Sequence, residues 1–278
     1  MIDAQVIDFD AIVVGSGISG GWAAKELTEK GLKVLVLDRG EPLTHGKDYL
    51  GEHAPEWKLP FNGKKPRELY EDEYPMANRV YAFSEANRQF WMNEKENPYV
   101  VDEKDPFMWI RSNVVGGRSL LWGRQTYRWS EMDFRANEKD GHGIPWPVTY
   151  NDIAPWYSYV EKFAGVNGKA EGLPQLPDSD FQKPMPWMAL ENTIHGRLKR
   201  KAPDITLTSA RVAILTEDLH GRSACHYCGP CHRGCSTGSY FSSLSSTLPA
   251  ATATGNMTLK PNSLVERLEY DDASGKIS

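Results

Sequence analysis

A glycine-spaced turn, Gly15-Ser16-Gly17-Ile18-Ser19-Gly20, follows directly on the short apolar run Ala11-Ile12-Val13-Val14. Such a start admits little besides a strand, a tight turn and a helix. The run suits a strand buried on both faces. Gly15 permits the bend, Gly17 lets a ligand's phosphates approach the backbone, and Gly20 lets the helix pack close on the strands. The helix N-terminus offers unpaired N–H groups and a partial positive charge to an anion. Ala24 keeps the same helix face small, and Gly31 ends the helix after Lys30. Val34-Leu35-Val36-Leu37 is the second buried strand, with Asp38 at its end. A carboxylate there can accept both hydroxyls of an adenosine ribose. A lone G-x-G-x-x-G also occurs in turns that hold no ligand. Here strand, helix, small residue, terminal glycine and acid all stand where a dinucleotide needs them.

This spacing does not separate a flavin dinucleotide from a nicotinamide one, but its position favours FAD. The motif stands close to the start of the chain, and Asp38-Arg39-Gly40 leads into an irregular segment, not a third regular βα unit. Asp38 would repel a 2′-phosphate, which argues against NADP, although Arg39 beside it is a cation. A second unusual stretch is Val114-Val115-Gly116-Gly117-Arg118-Ser119-Leu120-Leu121-Trp122-Gly123. Two adjacent glycines followed by Arg118 and Ser119 let backbone N–H groups converge on an anion or a flat ring. A tight turn with a packed Trp122 fits the same composition.

Between these stretches, from Glu41 to Pro106, periodicity is lost and Pro, Gly, Asn and charge accumulate, as in lids, binding loops and oligomer arms. Tyr81–Asn93 is a helix candidate within it. From Thr149 a helix is expected, with Thr149 or Asp152 as its cap. Ile153, Trp156, Tyr157, Val160, Phe163 and Ala164 form its apolar face, and Pro155 is tolerable only in the first turn. Residues 166–186 read as loop, Thr206–Thr216 as a strand, Tyr240–Ala253 as a helix, and Met257–Tyr270 as one or two strands. Leu264–Tyr270, the turn Asp271–Gly275 and the return from Lys276 read as a hairpin cut short, so truncation of the chain is expected.

The 278 residues suffice for one large domain or two ordinary ones. No apolar stretch approaches the roughly 20 residues that span a bilayer. Met1–Asp10 carries three aspartates and no basic residue, so it reads as neither a secretory signal nor a transit peptide. The net charge of −5, without a long basic run, leaves no electrostatic footprint for nucleic acid.

Gly15–Gly40, Val115–Gly123 and Asn256–Tyr270 together resemble the glucose–methanol–choline oxidoreductases, above all the bacterial branch that oxidises sugars and polyols. The lead from Trp146 to Asp152 is similar too. The resemblance implies an α/β fold: a Rossmann-like FAD-binding domain with the beginning of an α+β substrate domain. It divides the chain into residues 1–45, first part of the FAD domain; 46–106, an excursion serving as lid or arm; 107–147, the flavin-side stretch; 148–222, the start of the substrate domain; and 223–278, the cysteine cluster and return to the FAD domain. It implies cofactor contacts at Gly15, Gly17, Ser19, Gly20, Asp38, Arg39, Gly116, Gly117, Arg118, Ser119, Trp122 and Gly123, and at Leu259 in a strand beside the adenine. Some relatives attach the flavin covalently through a His. The matching position here is Leu121, so the flavin is expected to be non-covalent. The family's catalytic His pair, or His and Asn, would lie beyond residue 278. His142, His195 and His220 have no partner visible in sequence, so no catalytic residue is assigned.

All four cysteines fall in Cys225-His226-Tyr227-Cys228-Gly229-Pro230-Cys231-His232-Arg233-Gly234-Cys235, clustered as a metal or redox site would be and not spread as a disulfide framework. The C-x2-C-x2-C-x3-C spacing is that of bacterial ferredoxins, so a 3Fe-4S or 4Fe-4S cluster is expected; zinc and a reduced, metal-free loop are the alternatives. The reading that follows is an FAD-dependent dehydrogenase of alcohols, sugars, glycosides or polyols. Its electrons would pass to an external acceptor, a cytochrome or small partner subunit, through the cluster. Two other readings stand beside it: a non-catalytic flavin or electron-transfer subunit needing a second chain, and a nicotinamide-dependent enzyme. The compartment stays open between cytoplasm and periplasm, the latter by export with a partner.

Overall fold

The protein, seen in a computed structural model, is described over residues 8–277. Met1–Ile7, most of the segment read as carrying no leader, lie outside these residues, as does Ser278 of the return strand. Along the chain the elements are β1 (Ala11–Val14), α1 (Ile18–Glu29), β2 (Val34–Leu37), α2 (Arg67–Glu73), α3 (Glu131–Phe134), α4 (Ala136–Asp140), α5 (Tyr150–Ala164), α6 (Ala189–Lys201), α7 (Thr247–Ala253), β3 (Met257–Lys260), β4 (Tyr270–Asp271) and β5 (Lys276–Ile277). They fall into two compact units. One runs to Trp122 and takes in Cys228–Gly238 and the chain from Ser242; the other comprises Gly123–Tyr227 with Ser239–Phe241.

The first unit is built on a parallel sheet in the order β1-β2-β3, with Ala11 opposite Val34 and Val34 opposite Met257. Such a βαβ start with helices on the sheet is a Rossmann-like α/β fold. One face of the sheet is sealed. Val13, Val34 and Val36 pack with Ala24 of α1 and Ala251 of α7. α1 and α7 approach closely because Gly21 has no side chain: a Cβ there would lie 2.5 Å from Thr247 Oγ1. Gly31, at φ +87°, ends α1 as anticipated, donating its N–H to Thr28 O at 3.0 Å. The expectation that β1 is buried on both faces fails: Ile12 is 43% and Val14 55% exposed. Only the Val13 side meets helices, so the apolar run reports strand propensity and not two-sided cover.

The irregular stretch after Gly40 is a packed body. Tyr49, Tyr70, Tyr74, Phe83, Phe90 and Trp91 form one core with Val114, Val115, Leu120 and Leu244. The helix anticipated over Tyr81–Asn93 is absent, and only Arg88–Phe90 makes a 3₁₀ turn. The cause is Asn87, fully buried, whose Oδ1 accepts the Ser84 N–H at 2.9 Å and whose Nδ2 donates to Ala82 O at 2.8 Å. An Asn that bonds its own backbone offers the chain an alternative to the helix.

In the second unit α5 begins where expected, at the Thr149–Asp152 box. Pro155, however, lies beyond the first turn. The carbonyl it leaves without a helical donor belongs to Asn151, which is exposed, so water can serve it. The buried face also differs from the apolar one: Trp156 is 66% exposed, while Glu161 and Ala164 are buried. An ion pair, not hydrophobicity, turns the helix. Thr206–Thr216 is no strand and makes isolated bridges at Val212 and Ile214. α6 was not anticipated: its apolar residues Leu190, Ile194 and Leu198 make only a narrow line, and none of its residues is buried. In the first unit, the helix expected over Tyr240–Ala253 shortens to α7, since the Ser242 hydroxyl donates to Ser245 Oγ and the Ser246 hydroxyl to Ser242 O. The closing hairpin is real but short, Tyr270 opposite Ile277.

Candidate functional site

The first glycine turn and the Gly116–Gly117 turn are remote in sequence and adjacent in space. Gly15, at φ +88°, swings the chain off β1 and donates its N–H to Leu37 O at 2.7 Å, which sets the turn at the carboxyl ends of β1 and β2. Gly20 allows the return: a Cβ there would stand 1.8 Å from Gly15 O. Gly15 and Gly17 face open space, with no atom within 4 Å of a Cβ built on either. The second turn bends through Gly116 and Gly117, at φ +90° and +51°, and Gly117 lies close enough that its Cβ would touch Gly17 Cα at 3.5 Å.

Between the turns is a cleft of about 340 Å³, lined by Gly15, Gly17, Ser19 and Gly20 on one side and by Arg118 and Ser119 on the other. The start of α1 supplies unpaired N–H groups and the positive end of a helix dipole. Arg118 is exposed and adds a cation. Ser119 is fully buried, donating to Gly116 O at 2.5 Å and accepting the Ser243 N–H at 3.0 Å. It fastens the turn onto the segment that leads into α7. A cradle of bare backbone, a cation and a helix start fits the pyrophosphate of a dinucleotide.

A family profile described as an NAD(P)-binding Rossmann-like domain matches residues 13–45, the first turn and its two strands. Paromamine 6′-oxidase of Streptomyces fradiae is 26% identical over 97% of this chain and 43% of its own length. The gluconate 2-dehydrogenase flavoprotein of Pantoea cypripedii is 25% identical over 80% and 38%, and the fructose dehydrogenase large subunit of Gluconobacter japonicus 24% over 67% and 32%. The chain resembles the glucose–methanol–choline oxidoreductases, the type to which these homologues belong. It spans less than half the length of these curated relatives.

Not every residue that the oxidoreductase resemblance named stands at the cleft. Asp38 is 6% exposed and turned inward: Oδ2 accepts the Ser16 N–H at 2.7 Å and the Ser16 hydroxyl at 2.5 Å, and Oδ1 accepts the Gly40 N–H at 2.6 Å. Of roughly four lone-pair positions on a carboxylate, three serve the protein. Arg39 reaches into the excursion, donating to Asn97 Oδ1 at 2.9 Å. Leu259 lines a separate apolar cavity of about 540 Å³ with Val115, Leu244 and Leu248. Trp122 is absent from both linings, and Gly123 belongs to the second unit. Sequence reading missed Ser16, a variable position of the motif. Only the structure shows its hydroxyl bridging Asp38 and the Gly116 N–H, the latter at 2.8 Å.

The metal cluster expected at the cysteines is not supported. Among the described residues no group of three or more His, Cys, Asp or Glu side chains is placed to hold a metal ion. Cys225 belongs to the second unit and the other three to the first. Cys225 Sγ accepts the Tyr227 N–H at 3.4 Å, and Cys235 Sγ pairs with Thr237 Oγ1 at 3.3 Å. The segment Cys231–Ser236 is nevertheless firmly anchored. Asn87 Nδ2 donates to His232 O, and the Ser236 N–H donates to the buried Glu52 carboxylate at 2.7 Å. Of the histidines considered, His195 packs edge-on against Trp187 and His220 stacks on Phe163.

Proposed function

We propose that this chain holds the nucleotide part of FAD in an oxidoreductase that oxidises a CH–OH group of a sugar, glycoside or polyol and passes the electrons to an external acceptor. The observation that carries the reading is the joining of the two glycine turns over one cleft. The relatives support the substrate class, since their names are those of a paromamine 6′-oxidase, a fructose dehydrogenase large subunit and a gluconate 2-dehydrogenase flavoprotein.

FAD, when bound without a covalent link, supplies the acceptor for the hydride. The chain's own residues bind and orient. Gly15 and Gly17 present bare backbone to the pyrophosphate, the start of α1 donates N–H groups to it, and Arg118 offsets its charge. The Gly116–Gly117 turn stands on the flavin side. No proton-transfer role is assigned to a residue here, and no step is routed through iron: among the described residues no three His, Cys, Asp or Glu side chains are placed together to hold a metal ion.

The test is uptake of FAD by the purified chain, read from the visible spectrum and from flavin released on denaturation, with iron and acid-labile sulfide assayed on the same sample. Flavin bands are expected. A folded chain that takes up no flavin after incubation with FAD overturns the reading. Gly17→Ala sharpens it. The added Cβ meets nothing in the protein, so the melting midpoint should hold while FAD affinity falls by at least about tenfold.

A further inference from the structure

The buried carboxylate of Asp38 and the backbone of the flavin-side turn are joined through a single side chain. Ser16 is fully buried. Its hydroxyl donates to Asp38 Oδ2 at 2.5 Å and accepts the Gly116 N–H at 2.8 Å, and its own N–H reaches the same Oδ2 at 2.7 Å. Asp38 Oδ1 takes the Gly40 N–H at 2.6 Å. A chain of hydrogen bonds thus runs from Gly40 through Asp38 and Ser16 to Gly116, linking the end of β2 to a residue 100 positions beyond Ser16.

We infer that Ser16 is a positioning residue whose hydroxyl sets the flavin-side turn relative to the adenosine end of the site, so that both ends of the dinucleotide are registered by one buried hydrogen-bond chain. The inference rests on the FAD reading above. Three considerations carry it. A buried carboxylate must be compensated, and hydrogen bonds to a charged acceptor are the strong ones. The Gly116 N–H is buried too, and Ser16 Oγ is the acceptor it has. Finally, Gly116 and Gly117 both have positive φ, a conformation that glycine enters and leaves without steric cost, so the turn needs an external tie to hold one position. Ser119 holds it from the side of α7; Ser16 holds it from the side of the nucleotide.

A tie of this kind affects a ligand whose flavin must be placed against the Gly116–Gly117 turn more than one that ends at the diphosphate. The comparison is therefore between FAD and ADP, titrated on the full chain and on Ser16→Ala. FAD affinity should fall about tenfold, one charge-assisted hydrogen bond's worth, while ADP affinity stays within about twofold. The visible band of bound FAD should also shift or broaden. In Asp38→Asn the further loss caused by Ser16→Ala should be smaller than in the wild type, because the two residues act as one chain. If FAD and ADP affinities fall by the same factor, or neither falls, Ser16 is merely structural and the inference is overturned. If Ser16→Ala does not fold, Ser16→Cys keeps the volume, weakens the donor and carries the same comparison. An unmodified chain that binds ADP and FAD shows the FAD reading to be intact whatever Ser16→Ala does; one that binds neither overturns both.

Discussion

Around the glycine turns the polar groups that have to be buried are small: the Ser16, Ser119 and Ser243 side chains, backbone N–H groups and one carboxylate, Asp38. In Gly123–Tyr227 they include four long cations. Arg124, Arg128, Arg211 and Arg222 are each 5% exposed or less. Arg124 lies 3.6 Å from the centre of the Tyr240 ring. Arg128 is forked onto Glu161 with Tyr150, Ser158 and Ser179 around it, and Arg211 pairs with Asp178. Arg222 donates to the Phe163 and Ala164 carbonyls that α5 leaves over, and its burial lowers its pKa to about 10. The first region is held by the absence of side chains and the second by the longest side chains available. The first should therefore fail when an atom is added, and the second when a charge is removed.

Gly20→Ala is the severest test of the first half of that contrast. Its Cβ would stand 1.8 Å from a backbone oxygen, so no side-chain rotation relieves it. Either the turn or α1 must move, and a loss of about 4 kcal/mol or more is expected. Loss of soluble protein or of the cooperative melt checks it. A folded Gly20→Ala with an unchanged midpoint would mean that the turn is loose and the close packing incidental.

Glu161→Leu probes the second half. Arg128 and Glu161 have side chains 4% and 6% exposed, 2.5 Å apart at their closest. Removing the carboxylate strands a buried cation, so a loss of about 3 to 5 kcal/mol is expected by chemical denaturation. Replacing both, Arg128→Met with Glu161→Leu, should restore much of it, because an apolar pair carries no desolvation cost. A single substitution costing under about 1 kcal/mol would show that the pair is solvated in solution and that the contrast between the regions is overstated.

The same contrast explains what could be read before the structure. Strand, turn, helix and terminal glycine over residues 11–37 were legible because their constraint acts on the backbone, where only glycine answers it. The capping box of α5 was legible because its partners are three residues apart. The buried face of α5 was not, because Glu161 finds Arg128 at a separation of 33 residues and reads in sequence as an ordinary exposed acid. Asp38 shows the mixed case. Its position at the end of β2 was plain, but the inward turn of its carboxylate depends on Ser16, whose place in the motif accepts many residues.

Within the second unit, α5 carries both kinds of support: the local box at its start and the remote pair near its end. Asp152 separates them by pH. Its carboxylate accepts the Thr149 N–H at 2.8 Å and the Thr149 hydroxyl at 2.7 Å. The backbone N–H first, and the hydroxyl second, hold its pKa below the ordinary aspartate value. A carboxyl whose pKa is lowered on folding contributes stability that is fully present above the unfolded pKa and is lost as pH falls through the folded one. The difference in melting midpoint between wild type and Asp152→Asn should therefore be largest near about pH 6 and close on approach to about pH 2, a smaller effect than either substitution above because the box is exposed. The other carboxyls titrate in both proteins and cancel in the difference. A gap that stays constant with pH would mean that Asp152 acts through uncharged hydrogen bonding; no gap at any pH would leave the start of α5 unsupported by its box and the Arg128–Glu161 pair as what holds the helix in place.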